Sequence, residues 1–209
     1  MTSLLAISGS PSADSRTALL TGHLVQRLSL AGYPTGHLRV RDLPAADLLA
    51  GRTGSPALRR ALDAVAAAGG LVVATPVYKG AYSGLLKSFL DLLPQHGLAG
   101  KTVLPLMTGG STAHVLAIDY ALSPVLAALG ARHIVRGAFV LDQAIQVAAE
   151  GTPRLPHDTR TRLEQAVEEF VVALGPKERP DSWPPGPTER GDGGRPRVLS
   201  PGEGGAVGA

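Results

Sequence analysis

Cysteine is absent from the 209 residues, which removes thiolate nucleophiles, disulfide frameworks, Cys-ligated zinc and iron–sulfur clusters together. Redox chemistry here therefore requires a bound cofactor. Aromatic residues are scarce at 4%, so platforms for stacking single-stranded bases are few. Charge of one sign is also lacking: 20 Lys and Arg against 17 Asp and Glu leave +3, and without a concentrated basic run no nucleic-acid partner is expected. Long apolar runs are missing as well. The opening MTSLLAISGS holds a short apolar run at 4–7 with no basic residue ahead of it, whereas a secretion signal needs about 7 to 15 apolar residues. Nothing approaches the roughly 18 apolar residues of a membrane span, so a cytoplasmic protein without a membrane partner is expected.

Several catalytic motifs are missing too. The histidines at 23, 37, 96, 114, 133 and 157 never form HxxxH or HxH, which leaves a metal site without local support. GxSxG, GxxxxGK[ST] and a GxGxxG after the first strand do not occur, so serine hydrolysis, Mg-ATP chemistry of the P-loop kind and a dinucleotide-binding Rossmann unit are not indicated. No side chain stands out as a catalytic acid or base. His114, inside the start of a helix with no carboxylate at a diagnostic spacing, reads as a satisfied structural histidine.

What is present divides at residue 175. Beyond it, 16 of 35 residues are Gly or Pro, and five basic side chains balance five acidic ones. Such a segment has too little apolar surface to offset the entropy of ordering it, so residues 175–209 are expected to form a disordered tail and residues 1–174 the domain. Within the domain, short apolar strands alternate with helical patterns. Residues 4–8 read as a buried strand, followed by a helix carrying leucines at 19, 20, 24 and 28. Residues 37–40 read as a second strand, and Ser55-Pro56 as a helix start, since serine caps a free amide and proline suits the first turn. The continuous apolar run 71–74 reads as a strand buried on both faces, with 75–83 a loop and 84–93 a helix stopped by Pro94. Residues 101–107 form the next strand, 112–129 a long helix, 133–141 the fifth strand and 160–174 the last helix. Pro124 fits a plain helix poorly, so distortion is expected near Tyr120. Five strands alternating with helices predict a three-layer, doubly wound α/β domain, whose ligands collect at the carboxyl ends of the strands.

Three loops then share one rim. The first carries Ser8, Ser10, Ser15, Arg16 and Thr17 at the start of a helix, where free amides, hydroxyls and a guanidinium suit a phosphate monoester. The second, with Pro76, Val77, Tyr78 and Lys79, offers a stiff backbone and a flat surface for an aromatic ring system. The third, with Thr108, Gly109, Gly110 and Ser111, exposes amides that suit a ring carbonyl. A phosphorylated planar ligand is the natural occupant.

At these loops, in the stretches ISGSPSADSRTALL, LVVATPVYKGAYSGLLKSFLDLLP and TGGSTAHVLAIDYALSPVLAALGA, the sequence resembles the NADPH-dependent FMN reductase family, and in particular the reductase branch of bacterial two-component alkanesulfonate monooxygenase systems. The resemblance implies a flavodoxin-like fold with a five-stranded parallel sheet in the order 2-1-3-4-5. It implies FMN as a substrate or loosely bound cofactor, with NADPH or NADH as hydride donor. Ser8, Ser10, Ser15, Arg16 and Thr17 would hold the FMN phosphate, and Pro76 to Lys79 with Thr108 to Ser111 would border the ring. It further implies reduced FMN passed to a partner monooxygenase in sulfonate sulfur assimilation, and a homodimer or homotetramer, with Tyr120 as an interface residue associated with exchangeable flavin. Two alternatives share the fold: an FMN-retaining quinone, azo or chromate reductase, and a flavodoxin-type electron carrier. The carrier fits less well, because such proteins are strongly acidic whereas this sequence has a pI of about 9.5.

Overall fold

The computed structural model describes residues 2–175. Apart from Gly175, the segment expected to be a disordered tail lies outside the described residues. The chain opens with β1 (Leu4–Ser8), buried at every position. Next comes α1 (Arg16–Leu30), which starts where the Ser15 hydroxyl accepts from the Ala18 amide at 3.0 Å and buries Leu20, Leu24 and Leu28. β2 (Thr35–Arg39) follows, then the short α2 (Ala45–Leu49) and α3 (Pro56–Ala67), capped by Ser55 as the sequence predicts.

β3 (Gly70–Tyr78) is longer than the apolar run 71–74 suggests, because it continues through the expected loop and pairs antiparallel with β4 (Ala81–Tyr82). Lys79 and Gly80, with φ of 53° and 81°, turn the chain between them. A two-residue turn with both φ positive matches the twist of the strands it joins. Lysine is not the residue that left-handed backbone favours, so Lys79→Asn is expected to stabilise the domain by about 0.5–1 kcal/mol. A thermal melt checks this, and an unchanged or lower midpoint would show that the lysine side chain outweighs its backbone strain.

α4 (Gly84–Leu90) is capped by Ser83, and β5 (Thr102–Gly109) is fully buried. The long helix expected over 112–129 is not continuous. A 3-10 turn (Thr112–His114), a π-helical turn (Ile118–Leu122) and α5 (Ser123–Ala128) replace it. Pro124 has no N–H for the Tyr120 carbonyl and would press against it in a regular helix; the wider π turn ends just ahead of it. The fifth strand is likewise split, into β6 (His133–Ile134) and β7 (Ala138–Leu141), both parallel to β5. The gap in pairing falls at residues 104–105, where Pro105 has no amide to donate. A small antiparallel pair, β8 (Gln146–Val147) with β9 (Pro153–Arg154), precedes α6 (His157–Ala173).

The sheet runs β2-β1-β3-β5, with β6 and β7 sharing the outer edge of β5. This is the doubly wound α/β order expected, except that the sheet counts seven strands: the fifth is broken and β4 is an added antiparallel piece. Side-chain alternation along the central strands divides the core into two layers. Leu5, Ile7, Leu71, Val73 and Met107 pack towards α3, α4 and α5, whereas Leu4, Ala6, Val72, Ala74 and Leu104 pack towards α1 and α6. Both faces of the sheet are covered, as a mostly parallel sheet requires.

Candidate functional site

Strand register brings the three loops to one rim. Ser8 pairs with Ala74, Thr75 with Met107 and Pro76 with Thr108, so the carboxyl ends of β1, β3 and β5 lie side by side. Side chains then tie the loops together. The Ser83 hydroxyl donates to the Gly9 carbonyl and also accepts from the Leu86 amide at 3.1 Å, which couples the first loop to the start of α4. The Ser83 amide donates to Thr75 Oγ1 at 3.0 Å, and that hydroxyl donates to the Pro76 carbonyl. Thr17 and Thr108 join the first and third loops through their hydroxyls at 2.7 Å. Each of these hydroxyls is buried, and a buried hydroxyl left unpaired would cost about 1–3 kcal/mol, so the arrangement is held firmly.

Gly9 permits the closest approach. A Cβ there would lie 2.5 Å from Leu86 Cβ and 3.2 Å from Leu86 Cα, so the loop lies directly on α4. Gly110 is the opposite case: a Cβ there would meet nothing within 4 Å, and its backbone is open to a ligand edge.

Ser8, Ser10, Ser15 and Thr17 are buried around the first turn of α1. The amides of Arg16 and Thr17 precede any intrahelical bond, and an anion at that end of the helix is favoured by its dipole. The Arg16 side chain is exposed and makes no ion pair among the described residues. Beside this turn lies a cavity of about 520 Å³, bounded by α1, β2 and the β8–β9 hairpin, into which Asp14, Arg16, His23, His37 and Arg39 project. Burial, then the Arg39 charge, lowers the His37 pKa, while Asp42 opposes them; burial, then Arg27, lowers that of His23, with Glu164 opposing.

The remaining expected residues occupy distinct places. Pro76 is buried within β3, Val77 is half-buried, and Tyr78 and Lys79 are exposed at the hairpin. Tyr78 retains 48% of its surface, enough to offer a ring face. Thr108 and Gly109 are buried at the end of β5, with Gly109 backed by Phe139, while Gly110 and Ser111 are exposed. Ser111 accepts from the Ala113 amide at 3.2 Å. Tyr120 lies on the π-helical turn with 79% of its surface exposed. His114 is not the satisfied histidine expected: its Nδ1 is buried and has no hydrogen-bond partner among the described residues.

Sequence reasoning missed the roles of Thr75, Ser83 and His37. Ser83 carries a local signal as the cap of SGLL, but its bond to Gly9 spans 74 positions and leaves no local trace. A second cavity, of about 580 Å³, opens between the split fifth strand, the π-helical turn and α6. Its lining mixes Asp119, Arg136, Arg162 and Glu169, and it does not include the phosphate-type turn.

Residues 2–146 match the family model described as NADPH-dependent FMN reductase. FMN reductase (NADPH) of Pseudomonas putida is 46% identical over 179 residues, 85% of this chain and 90% of that protein. FMN reductase (NADPH) of Escherichia coli is 43% identical over 171 residues, 82% of this chain and 89% of that protein. Among solved structures, the apo form of an NADH:FMN oxidoreductase (EMOB) aligns with a TM-score of 0.77 and 44% identity, covering 85% of this chain and 92% of that one.

Proposed function

Because the chain belongs to the NADPH-dependent FMN reductase family, we propose that the rim of β1, β3 and β5 holds FMN, with its phosphate at the first turn of α1 and its ring between Tyr78 and residues 109–111, and that the enzyme supplies reduced FMN to a partner monooxygenase. The observation that carries this reading is the cross-tied rim itself. An anion-favouring helix start and an open glycine turn are fixed relative to each other by Thr17 and Thr108. The residues fit the group: the turn offers buried hydroxyls and free amides for a phosphate, and Gly110 leaves room for a ring edge. The buried His114 Nδ1 near the third loop, which has no hydrogen-bond partner among the described residues, is a polar atom that a bound ligand or a neighbouring subunit would satisfy.

When bound, the flavin supplies the hydride-accepting chemistry. The chain's own part is alignment. Ser10, Ser15 and Arg16 would hold the phosphate end, the hairpin at Tyr78 would back the ring, and the exposed backbone of Gly110 would be available to a ring carbonyl. No side-chain acid is needed for transfer between two stacked rings, which accounts for a site built of hydroxyls and amides. Sulfonate assimilation as the setting is supported by the resemblance in the second and third loops. Tyr78, Val115, Leu116 and Tyr120 are exposed near this end of the molecule, and a second copy of the chain would cover them in the dimer or tetramer we propose. The domain we assign to this activity ends at residue 174.

The test is steady-state oxidation of NADPH and of NADH by the purified protein. Rates that rise and saturate with added FMN, together with sulfite release when an FMNH2-dependent alkanesulfonate monooxygenase is added, are expected. Nicotinamide oxidation indifferent to FMN would overturn the reading. Purification with a full complement of FMN and fast quinone turnover would instead assign a flavin-retaining quinone reductase.

A further inference from the structure

Ser8 ends β1 at the phosphate-type turn and is 2% exposed, and its hydroxyl lies 3.0 Å from Nε2 of His37 on β2. The imidazole is half-buried and faces the same cavity as Asp14, Ser15 and Arg16. A serine hydroxyl has one proton. If Nε2 is unprotonated, Ser8 must donate to it and presents only lone pairs to an incoming anion. If Nε2 carries hydrogen, Ser8 accepts from the ring, and its own proton is free to point at a phosphate oxygen.

We propose that His37 is a positioning residue of the flavin-phosphate site: binding of the phosphate draws a proton onto the imidazole, which then donates to Ser8 and turns the serine into a donor to the anion. This rests on the phosphate placement proposed above. The charges around the ring support the direction. On its own strand and the turn after it are Arg39, Arg41 and Asp42; α1 and the loop before it bring Arg16, His23 and Asp14; β1 contributes only Ser8; and the β8–β9 hairpin carries Glu150 and Arg154, neither of which lines the cavity, although Glu150 accepts a hydrogen bond at 3.0 Å from Thr152, which does. Burial and Arg39 hold the His37 pKa below its ordinary value, so the ring is largely neutral near pH 7. A phosphate dianion offsets both effects and raises the pKa in the complex. A group whose pKa rises on binding strengthens that binding as pH falls through the window between its free and bound values.

The experiment is calorimetric titration of the whole protein with FMN between pH 6 and 8, in buffers of differing ionisation enthalpy, for the wild type, His37→Gln, His37→Asn and Arg16→Ala. Glutamine keeps a donor near the Nε2 position without titrating, and asparagine provides a second variant should one fail to fold. Titration of the FMN phosphate near pH 6 is common to all and cancels in ratios. The ratio of variant to wild-type Kd should grow about tenfold from pH 8 to pH 6, the change expected for one unit of pKa displacement. The wild type should also take up more protons on binding than either His37 variant. Parallel pH curves with equal proton uptake would overturn the proposal. If Arg16→Ala still weakens FMN in that case, the phosphate site stands and only the role of His37 fails; if Arg16→Ala also leaves Kd unchanged, the placement of the phosphate fails with it.

Discussion

Replacing Arg16 by alanine is expected to weaken FMN binding tenfold to a hundredfold while leaving the melting temperature nearly unchanged. The guanidinium is exposed at the first helical position of α1 and makes no ion pair among the described residues, so its loss removes nothing that the fold uses. Against a phosphate, the loss is that of a hydrogen bond to a charged group, about 1.5–3 kcal/mol, and every 1.4 kcal/mol is about tenfold in Kd. Fluorescence titration of free flavin measures this. The same variant should bind riboflavin, which lacks the phosphate, as the wild type does. Equal losses for FMN and riboflavin would show that Arg16 acts on the ring or on the fold instead.

Gly9→Val is expected to abolish measurable FMN binding. The added Cβ would lie 2.5 Å from Leu86 Cβ, itself part of the fully buried packing of α4. Either the loop or the helix must shift. Shifting α4 would disturb Leu86, Phe89 and Leu90, all buried, so the loop is the element that moves, breaking the Ser83–Gly9 bond on the way. Overpacking of this kind costs about 1–3 kcal/mol, less than the roughly 5–15 kcal/mol by which a domain is stable. The variant should therefore fold, with native-like circular dichroism and a lowered melting temperature, and fail at the ligand. Wild-type affinity in a folded Gly9→Val protein would mean that the first loop does not contact FMN.

Much of this fold is legible in the chain because it is locally encoded. Leu20, Leu24 and Leu28 recur at helical spacing and are buried as that spacing implies, Ser55 and Pro56 open α3, and the apolar run 71–74 is a central strand. The hairpin after β3 escaped notice because its turn is Lys79-Gly80, without the Asn-Gly or Asp-Gly pair that usually marks such a turn. Pro124 signalled a distorted helix near Tyr120, and the distortion takes the form of a π-helical turn. The split of the fifth strand was hidden in a different strand, since the missing amide belongs to Pro105 of β5.

The candidate site divides in the same way. Residue types and loop order pointed to the rim, but not to what fixes it. The bonds between Thr17 and Thr108 and between Ser83 and Gly9 span 91 and 74 positions, and only the register of β1, β3 and β5 brings those groups together. His37 is a lone histidine in sequence, and its place beside Ser8 exists only because β2 pairs with β1.

The central claim is that a single cradle grips phosphate at one end and presents a flavin ring at the other. A crystal structure of the protein with FMN tests it most directly. The phosphate should lie within hydrogen-bonding distance of Ser10 and Arg16, with the ring against Tyr78 and the Gly110 backbone. FMN seated in the cavity between the split fifth strand and α6, with the three loops free of it, would contradict that claim.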